Sequence, residues 1–406
     1  MLEKSINIIG LLYINSLMAK YIGPENFGKI NITTSLFVFV QTLSWFGGQN
    51  IIFKRMSEKA ASGIAMAIHT QNQRRFFFLL SSGAVLIALS LFSDPVVFAF
   101  GVANCIATYF IVMDFFSVYN NTQLKSKINT ITNVIGLSVA LLIRFLVSHF
   151  KMPVYYFTIP IVIIPLVPYI MRLIYFHYTT EVKARAKGGK IYNLHLLYTG
   201  GALILSSLSA DIYTQVSSLF LARILTYSDL GVYSVALTLG GAWSFIVLAL
   251  ITSFFSRIYS EKNPLVVERL LVNINRLVIL LSLVMLGGFA VFGDDVIRLL
   301  YGESYSDAVA IIPVIIIGTM FSSLGTICYR YIIKESGYSY LAKKMVLCCL
   351  LTIPLSWLMI HAFGIKGAAY CFLIVELLSC TLLNYFFKDK TIFKMHLGIF
   401  KSRGSA

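Results

Sequence analysis

The chain has 406 residues, 58% of them hydrophobic and only 12% charged, with 33 Lys and Arg against 17 Asp and Glu, a formal net charge of +16 and a mean hydropathy of +0.81. A soluble domain carries roughly 25% charged residues, so these charges cannot cover a water-facing surface and lipid must solvate most of the protein. The positive balance does not mark a nucleic-acid binder, because the basic residues alternate from loop to loop and form no single patch.

Apolar runs of roughly 20 residues, the length that crosses a ~30 Å hydrocarbon layer, recur along the whole chain. In order they are residues 5–21, 30–53, 76–92, 96–119, 130–150, 155–176, 198–224, 231–256, 271–292, 308–333, 344–362 and 367–387. In lipid every backbone N–H and C=O must be satisfied inside the protein, which leaves helices or a closed barrel. Unbroken runs without the alternation of barrel strands select helices. The expected fold is an all-α polytopic membrane protein with twelve transmembrane helices. The first run follows Lys4 and has no small-residue cleavage site behind it, so it reads as a retained span.

Placing the N-terminus in the cytoplasm puts 24 Lys and Arg on the inner side and 6 on the outer, with Arg144, Arg172 and Arg330 inside spans. The positive-inside rule then sets both termini on the cytoplasmic face, which requires an even number of helices. The longest connections, residues 54–75 and 177–197, are too short for a catalytic domain. An enzyme is therefore not expected, and the work is done within or across the bilayer.

A shift of 203 residues aligns Ala19, Lys20, Phe27, Gly28, Ile32, Ser35 and Leu36 with Ala222, Arg223, Leu230, Gly231, Val235, Thr238 and Leu239. Further on, Lys54, Ser57, Glu58 and Lys59 meet Arg257, Ser260, Glu261 and Lys262. Duplication is the better reading of this register. It divides the chain into an N-lobe, residues 1–190, and a C-lobe, residues 191–406, each with six spans. Two lobes of even span number enter the membrane in the same orientation, as a parallel pseudo-twofold repeat with a cavity between them.

Residues 19–36, AKYIGPENFGKINITTSL, resemble the first-loop signature of polysaccharide flippases of the O-antigen (Wzx) type. These belong to the superfamily that also contains the MATE drug exporters and the lipid II flippases. Residues 113–133, MDFFSVYNNTQLKSKINTITN, are similar to the family's fourth-span exit, with Phe115 and Phe116 and the 117–120 region in place of its usual Trp and Gln-Gly. Residues 295–313, DVIRLLYGESYSDAVAIIP, look like its outer loop before span ten, and residues 363–376, FGIKGAAYCFLIVE, like its entry to span twelve. The resemblance implies a MATE-like fold and a flippase of the bacterial inner membrane. It implies that the cargo is an undecaprenyl-diphosphate-linked oligosaccharide repeat unit, carried from the cytoplasmic to the periplasmic leaflet by alternating access through a cationic cavity. No cofactor or metal is expected. H⁺ or Na⁺ is the expected coupling ion, and other polysaccharide-assembly membrane proteins are the expected further partners.

A diphosphate crossing hydrocarbon needs its roughly two negative charges met by Arg or Lys. The repeat places Lys20 and Arg223 near the periplasmic end and Lys54, Arg55 and Arg257 near the cytoplasmic end, as two basic rungs; snorkelling to headgroups is the competing account of each. Arg144 lies deep in an apolar run, which calls for a cavity or an ion pair, Arg330 is four residues from the end of span ten, and Arg172 reads as an interfacial anchor. Asp211 is the sharpest acidic candidate: Ser207, Gln215 and Ser218 stand at i−4, i+4 and i+7 and make one polar helix face. It could couple transport to an ion or pair structurally with Arg144 or Arg223. Glu376 and Asp114 are lesser candidates, and the resemblance implies a structural role for Asp114, which matches a position of that family. The six cysteines show no metal-ligand spacing and read as buried packing residues. The paired glycines at 47–48, 200–201, 240–241 and 287–288 are candidate sites of close helix approach or of bending, with packing preferred over a hinge role.

Three rival readings remain. A MATE-like cation antiporter should favour acidic or aromatic lining, a lipid II flippase usually carries two more helices, and a polysaccharide polymerase needs an outer loop longer than residues 293–307.

Overall fold

The computed structural model describes residues 2–180, 189–388 and 390–400, and among them every regular element is helical. The chain divides into two compact units, Met1–Asp211 and Ile212–Ala406, so the division falls inside a helix. The boundary expected at residue 190 adjoins the undescribed stretch 181–188. Lys183, Arg185 and Lys187 of the basic central loop, and Lys401 and Arg403 at the C-terminus, also lie outside the described residues.

In the first unit, α1 (Leu2–Trp45) is 44 residues long, about 66 Å at 1.5 Å per residue and twice the hydrocarbon thickness. It is broken at Gly23, whose φ of 77° is open to glycine, just before Pro24, which lacks an N–H and crowds the preceding turn. One apolar cluster takes Met18 and Ile22 from before the break and Phe27 and Ile30 from after it, around Phe100, Val147 and Phe157. The first two spans are thus the two arms of α1. The second arm bends by 48° at Phe46 and Gly47 into α2 (Gly48–Glu58). The 54–75 connection forms a short apolar helix, α3 (Ala60–His69), which buries Ile64, Met66 and Ala67.

Four spans follow. α4 (Gln71–Phe92) leaves Phe76, Leu79, Leu80, Ile87 and Leu91 more than half exposed, an apolar face that water would not tolerate and lipid does. Asp94 caps α5 (Pro95–Met113) by accepting from the Val97 amide at 2.8 Å, with Pro95 at the first helical position. Asp114 caps α6 (Phe115–Thr122) in the same way through Ser117. Then come α7 (Ser126–His149), α8 (Thr158–Thr179) and the long α9 (Gly189–Ile224), which bends by 49° between residues 201 and 203.

The second unit begins after α9 with a capping box, in which Thr226 and Asp229 bond reciprocally at the start of α10 (Tyr227–Gly241). A 40° bend leads into α11 (Ser244–Ser260). It is followed by α12 (Pro264–Leu300), α13 (Ala308–Lys334), α14 (Tyr338–Phe363), α15 (Ile365–Cys380), the single turn α16 (Leu382–Tyr385) and α17 (Thr391–Phe400). Among the described residues eight helices alone, or eleven spans with each of three bent pairs counted once, are long and apolar enough to cross a membrane.

The repeat is visible in the element order. Shifting by 203 carries Pro24 to Tyr227, the start of α10, and carries α4 to residues 274–295, inside α12. It then slips: α5 starts at residue 95, which maps to 298, whereas α13 starts at residue 308.

Each stretch that carries the family resemblance contains a joint. Residues 19–36 hold the Gly23 break, secured by Lys29, whose ammonium lies 2.7 Å from both Glu25 and Asp94. Burial by itself would raise the Asp94 carboxyl, but its bonds to Lys29 and the Val97 amide hold it below the ordinary value. Residues 113–133 hold the Asp114 cap between α5 and α6. In residues 295–313, Gly302 (φ 89°) ends α12 and the buried Tyr301 and Tyr305 pack its turn. In residues 363–376, Gly364 (φ 60°) makes the turn from α14 to α15, and a Cβ on Gly367 would lie 1.9 Å from the Met359 carbonyl oxygen.

Candidate functional site

The expected polar face of α9 is present, and it meets polar partners that the sequence did not single out. In the first unit Ser207 lines a pocket of about 80 Å³ with Gln41, Thr42, Gln49 and Asn50, under Trp45 and Gly47. One turn on, Asp211 accepts a hydrogen bond from Thr42. The pocket exists because two breaks coincide. A Cβ on Gly200 would lie 2.2 Å from the Phe46 carbonyl oxygen, and one on Gly47 2.8 Å from Leu203 Cβ, so α9 can cross the α1–α2 bend only where both sides lack side chains. Gly240 also makes a close approach, against Ile315. At Gly201, Gly241, Gly287 and Gly288 an added Cβ would meet nothing within 4 Å, so these four do not mark helix contacts; Gly201 and Gly241 adjoin the bends of α9 and between α10 and α11, where bending was the other expectation.

In the second unit Gln215 is half-buried and Ser218 buried on the same helix. Tyr213 donates to Glu376, which is 8% exposed, and Ser217 and Ser356 share a hydrogen bond of 3.0 Å. Tyr213, Thr214, Ser217, Thr352 and Glu376 line a pocket of about 90 Å³. A larger one, about 320 Å³, is lined by the hydroxyls of Ser244, Thr319, Ser322, Ser323 and Thr326 between α10–α11 and α13. The signal for this surface was available: residues 319, 323 and 326 recur at helical spacing, as do 352 and 356. Hydroxyls and amides donate and accept, so these faces can hold sugar hydroxyls or a hydrated cation.

The basic candidates occupy separate surroundings. Arg55 is half-buried at the end of α2, donates from Nε to Ser62 Oγ at 3.0 Å and stands 5.8 Å from the Tyr192 ring centroid. Lys54 beside it is exposed and only 4.0 Å from Glu58. Lys20 is exposed just before the Gly23 break, and Arg223 and Arg257 are exposed near the ends of their helices. Arg330 donates to Thr252 at 3.2 Å and lies 5.8 Å over Phe255, inside the second unit. Arg144 bonds to the Asn15 amide oxygen, a neutral acceptor and not the ion-pair partner that its depth suggested.

Arg172 is not an interfacial anchor. It is 5% exposed, pairs with Asp114, and donates to Asn133 and, at 3.0 Å, to Thr132; Asn120, Asn121 and Asn129 extend the network. Asp114 is structural, as expected. Arg74, which falls in the expected cytoplasmic connection 54–75, is fully buried. Its guanidinium donates to the Val112 and Ala67 carbonyls at 3.0 and 2.9 Å and covers the Trp45 ring at 4.8 Å. Lys344 is likewise buried, donating to Asn384 Oδ1 at 2.9 Å. A basic residue near a span end reads as a snorkelling headgroup anchor from sequence, because the carbonyls and amides that hold it come from distant segments.

Residues 17–310 match the model of a family described as polysaccharide biosynthesis protein. No curated protein matches the sequence. The fold is similar to that of a lipid II flippase, MurJ, in an inward closed conformation, with a TM-score of 0.70 and 15% identity over 97% of this chain and 89% of that one. It is also similar to an outward-facing multidrug resistance MATE family transporter of the MOP superfamily, with a TM-score of 0.60 and 12% identity over 96% and 94% of the two chains. A MATE in complex with MaD5 gives 0.61 and 12% over 97% and 95%. The expected all-α fold is thereby shown, and it is similar to the folds of this flippase and these transporters.

Proposed function

We propose that this chain, which belongs to the polysaccharide biosynthesis protein family, is a flippase that moves an undecaprenyl-diphosphate-linked oligosaccharide from the cytoplasmic to the periplasmic leaflet of a bacterial inner membrane, for O-antigen or a similar surface polysaccharide. The observation that carries the reading is the polar face of α9: Ser207 and Asp211 meet Gln41, Thr42, Gln49 and Asn50 in a chain whose other long helices turn apolar faces outward. A polar face of that kind in lipid must be kept for something polar. Oligosaccharide hydroxyls supply that demand, since each buried hydroxyl or amide must be paired by another.

On this reading the lipid tail stays in the bilayer and only the headgroup needs a path. Arg55 and Arg257, one in each unit near equivalent repeat positions, take the diphosphate at the cytoplasmic side; Arg144, Arg223, Arg330, Lys20 and Lys54 contribute to the positive field along the path. Alternating access carries the headgroup outward, driven by an H⁺ or Na⁺ gradient that acts on Asp211. On this reading both termini lie in the cytoplasm, which the excess of Lys and Arg in the connections supports.

The test is complementation of a flippase-deficient strain together with the export of lipid-linked repeat units in inverted vesicles. Arg55→Ala and Arg257→Ala should each lower surface polysaccharide at unchanged protein level, and Asp211→Asn should weaken the dependence of export on the ion gradient. Normal polysaccharide in both arginine variants removes them from the site, and unchanged ion dependence reduces Asp211 to a structural role. Failure of the wild-type chain to export any polyprenyl-diphosphate oligosaccharide overturns the function.

A further inference from the structure

Three side chains far apart in sequence meet at one end of the second unit: Cys328 from the last two turns of α13, Cys380 at the end of α15 and His396 on α17. Their ligand atoms all lie within 4.8 Å of one another, and Cys328 Sγ is 3.5 Å from His396 Nε2. Both cysteines are buried, at 0% and 1% exposure. We propose that Cys328, Cys380 and His396 bind a thiophilic divalent cation of the zinc class, and that this ion fastens α17 to the helix bundle.

The geometry suits the ion. A tetrahedral centre with Zn–S of about 2.3 Å and Zn–N of about 2.0–2.1 Å sets sulfur and nitrogen about 3.6 Å apart, close to the separation found here. The imidazole is already aimed: its Nδ1 is 3.1 Å from the Tyr385 hydroxyl, which leaves Nε2 toward Cys328. Outer partners of this kind orient most metal-bound histidines. Charge is balanced as well, because two thiolates and a neutral imidazole cancel a dication, and a neutral centre belongs in apolar surroundings. Soft sulfur ligands with one imidazole select zinc over magnesium or calcium. Lys344, tied to Asn384, is the nearby cation and adds a positive charge that the metal must tolerate.

The consequence is mechanical. α17 is otherwise attached through Arg276, which donates to the Ile399 and Gly398 carbonyls at 2.8 and 3.2 Å, and through Met395 beneath Asn275. The ion would add coordinate bonds that join α17 to α13, which supplies four hydroxyls to one pocket of this unit, and to α15, which lines both.

The experiment uses the full chain, purified in detergent under reductant, with metal content measured by mass spectrometry and Co²⁺ titrated as a spectroscopic probe. The expected result is one zinc per chain and a thiolate-to-cobalt charge-transfer band, both lost in Cys328→Ser and in Cys380→Ser and kept in Cys105→Ser. Tyr385→Phe should keep the band and weaken Co²⁺ affinity by about 10- to 100-fold. Absence of metal and band from the reduced wild type, a Cys328–Cys380 disulfide in its place, or metal retained in both serine variants overturns the proposal.

Discussion

Asp114 and Arg172 form a buried ion pair, and the way it fails is calculable. Asp114 is 8% and Arg172 5% exposed, so neither charge has water to fall back on. Asp114→Asn keeps the shape, and it keeps the cap to Ser117, because Asn and Asp cap about equally. What it removes is the negative charge, leaving a guanidinium facing Asn133 and Thr132 alone. Breaking one half of a buried pair costs about 3–5 kcal/mol. The double variant Asp114→Asn/Arg172→Gln removes both charges and retains amides that can still bond to Thr132 and Asn133, so it should lose less than Asp114→Asn alone. Thermal unfolding of the detergent-solubilised chain, followed by the retained monodisperse fraction, measures all four members of the cycle. Wild-type stability in Asp114→Asn, or a double variant that loses the sum of the two single losses, would refute the assignment of an uncompensated buried charge.

Other variants probe the joints. Gly200→Ala should cost about 1–3 kcal/mol by overpacking, since its Cβ would lie 2.2 Å from the Phe46 carbonyl oxygen, while Gly201→Ala, with nothing within 4 Å, should be tolerated in the same unfolding assay. Equal stability of the two would show that α9 does not cross the bend as described. Asp94 has its carboxyl held below the ordinary value, so it adds stability above the unfolded value of about 3.9 and loses that contribution as pH falls through its folded value. Unfolding temperature should therefore drop on acidification in the wild type and respond less in Asp94→Asn; identical pH profiles would contradict the linkage. Lys29→Ala should destabilise at neutral pH more than Lys54→Ala. Lys29 is buried between two carboxylates at 2.7 Å, whereas Lys54 is exposed and 4.0 Å from one.

The helical fold was readable because hydrophobic length is a local property, and each apolar run became a span or an arm of one. The breaks were harder. Gly23-Pro24 stands at the break in α1, and the paired glycines 47–48, 200–201 and 240–241 stand at the three bends, but nothing in the chain separates them from the pair 287–288, which lies inside the continuous α12. The polar face of α9 was legible from spacing alone, since Ser207, Asp211, Gln215 and Ser218 share one helix. Its partners Gln41, Thr42, Gln49 and Asn50 come from about 160 residues away, and a single sequence contains no record of that proximity. The burial of Arg74 and Lys344 was unreadable for the same reason: what offsets its cost is the set of carbonyls and amides around them. The cluster of Cys328, Cys380 and His396 was invisible because its spacings, 52 and 16 residues, match no local ligand motif.

The stretches that mark the family sit where helices turn, cap and lock. Three of them, residues 19–36, 113–133 and 295–313, supply no side chain to the pockets around α9 or to the hydroxyl-lined cavity of the second unit. The fourth reaches those pockets only past its turn, through α15 residues such as Phe372 and Glu376. On the proposed function, signature and specificity are therefore written largely in different parts of the molecule. Two chains that share every one of these turns can present unrelated arrays of hydroxyls and amides to a headgroup, so sorting such proteins by their signatures groups them by hinge geometry and leaves the cargo unread. On the proposed function, cargo is to be compared position by position along the pocket-lining faces of α1, α9, α11, α13 and α15, where a change of one hydroxyl would alter which sugar can be paired and leave the scaffold standing.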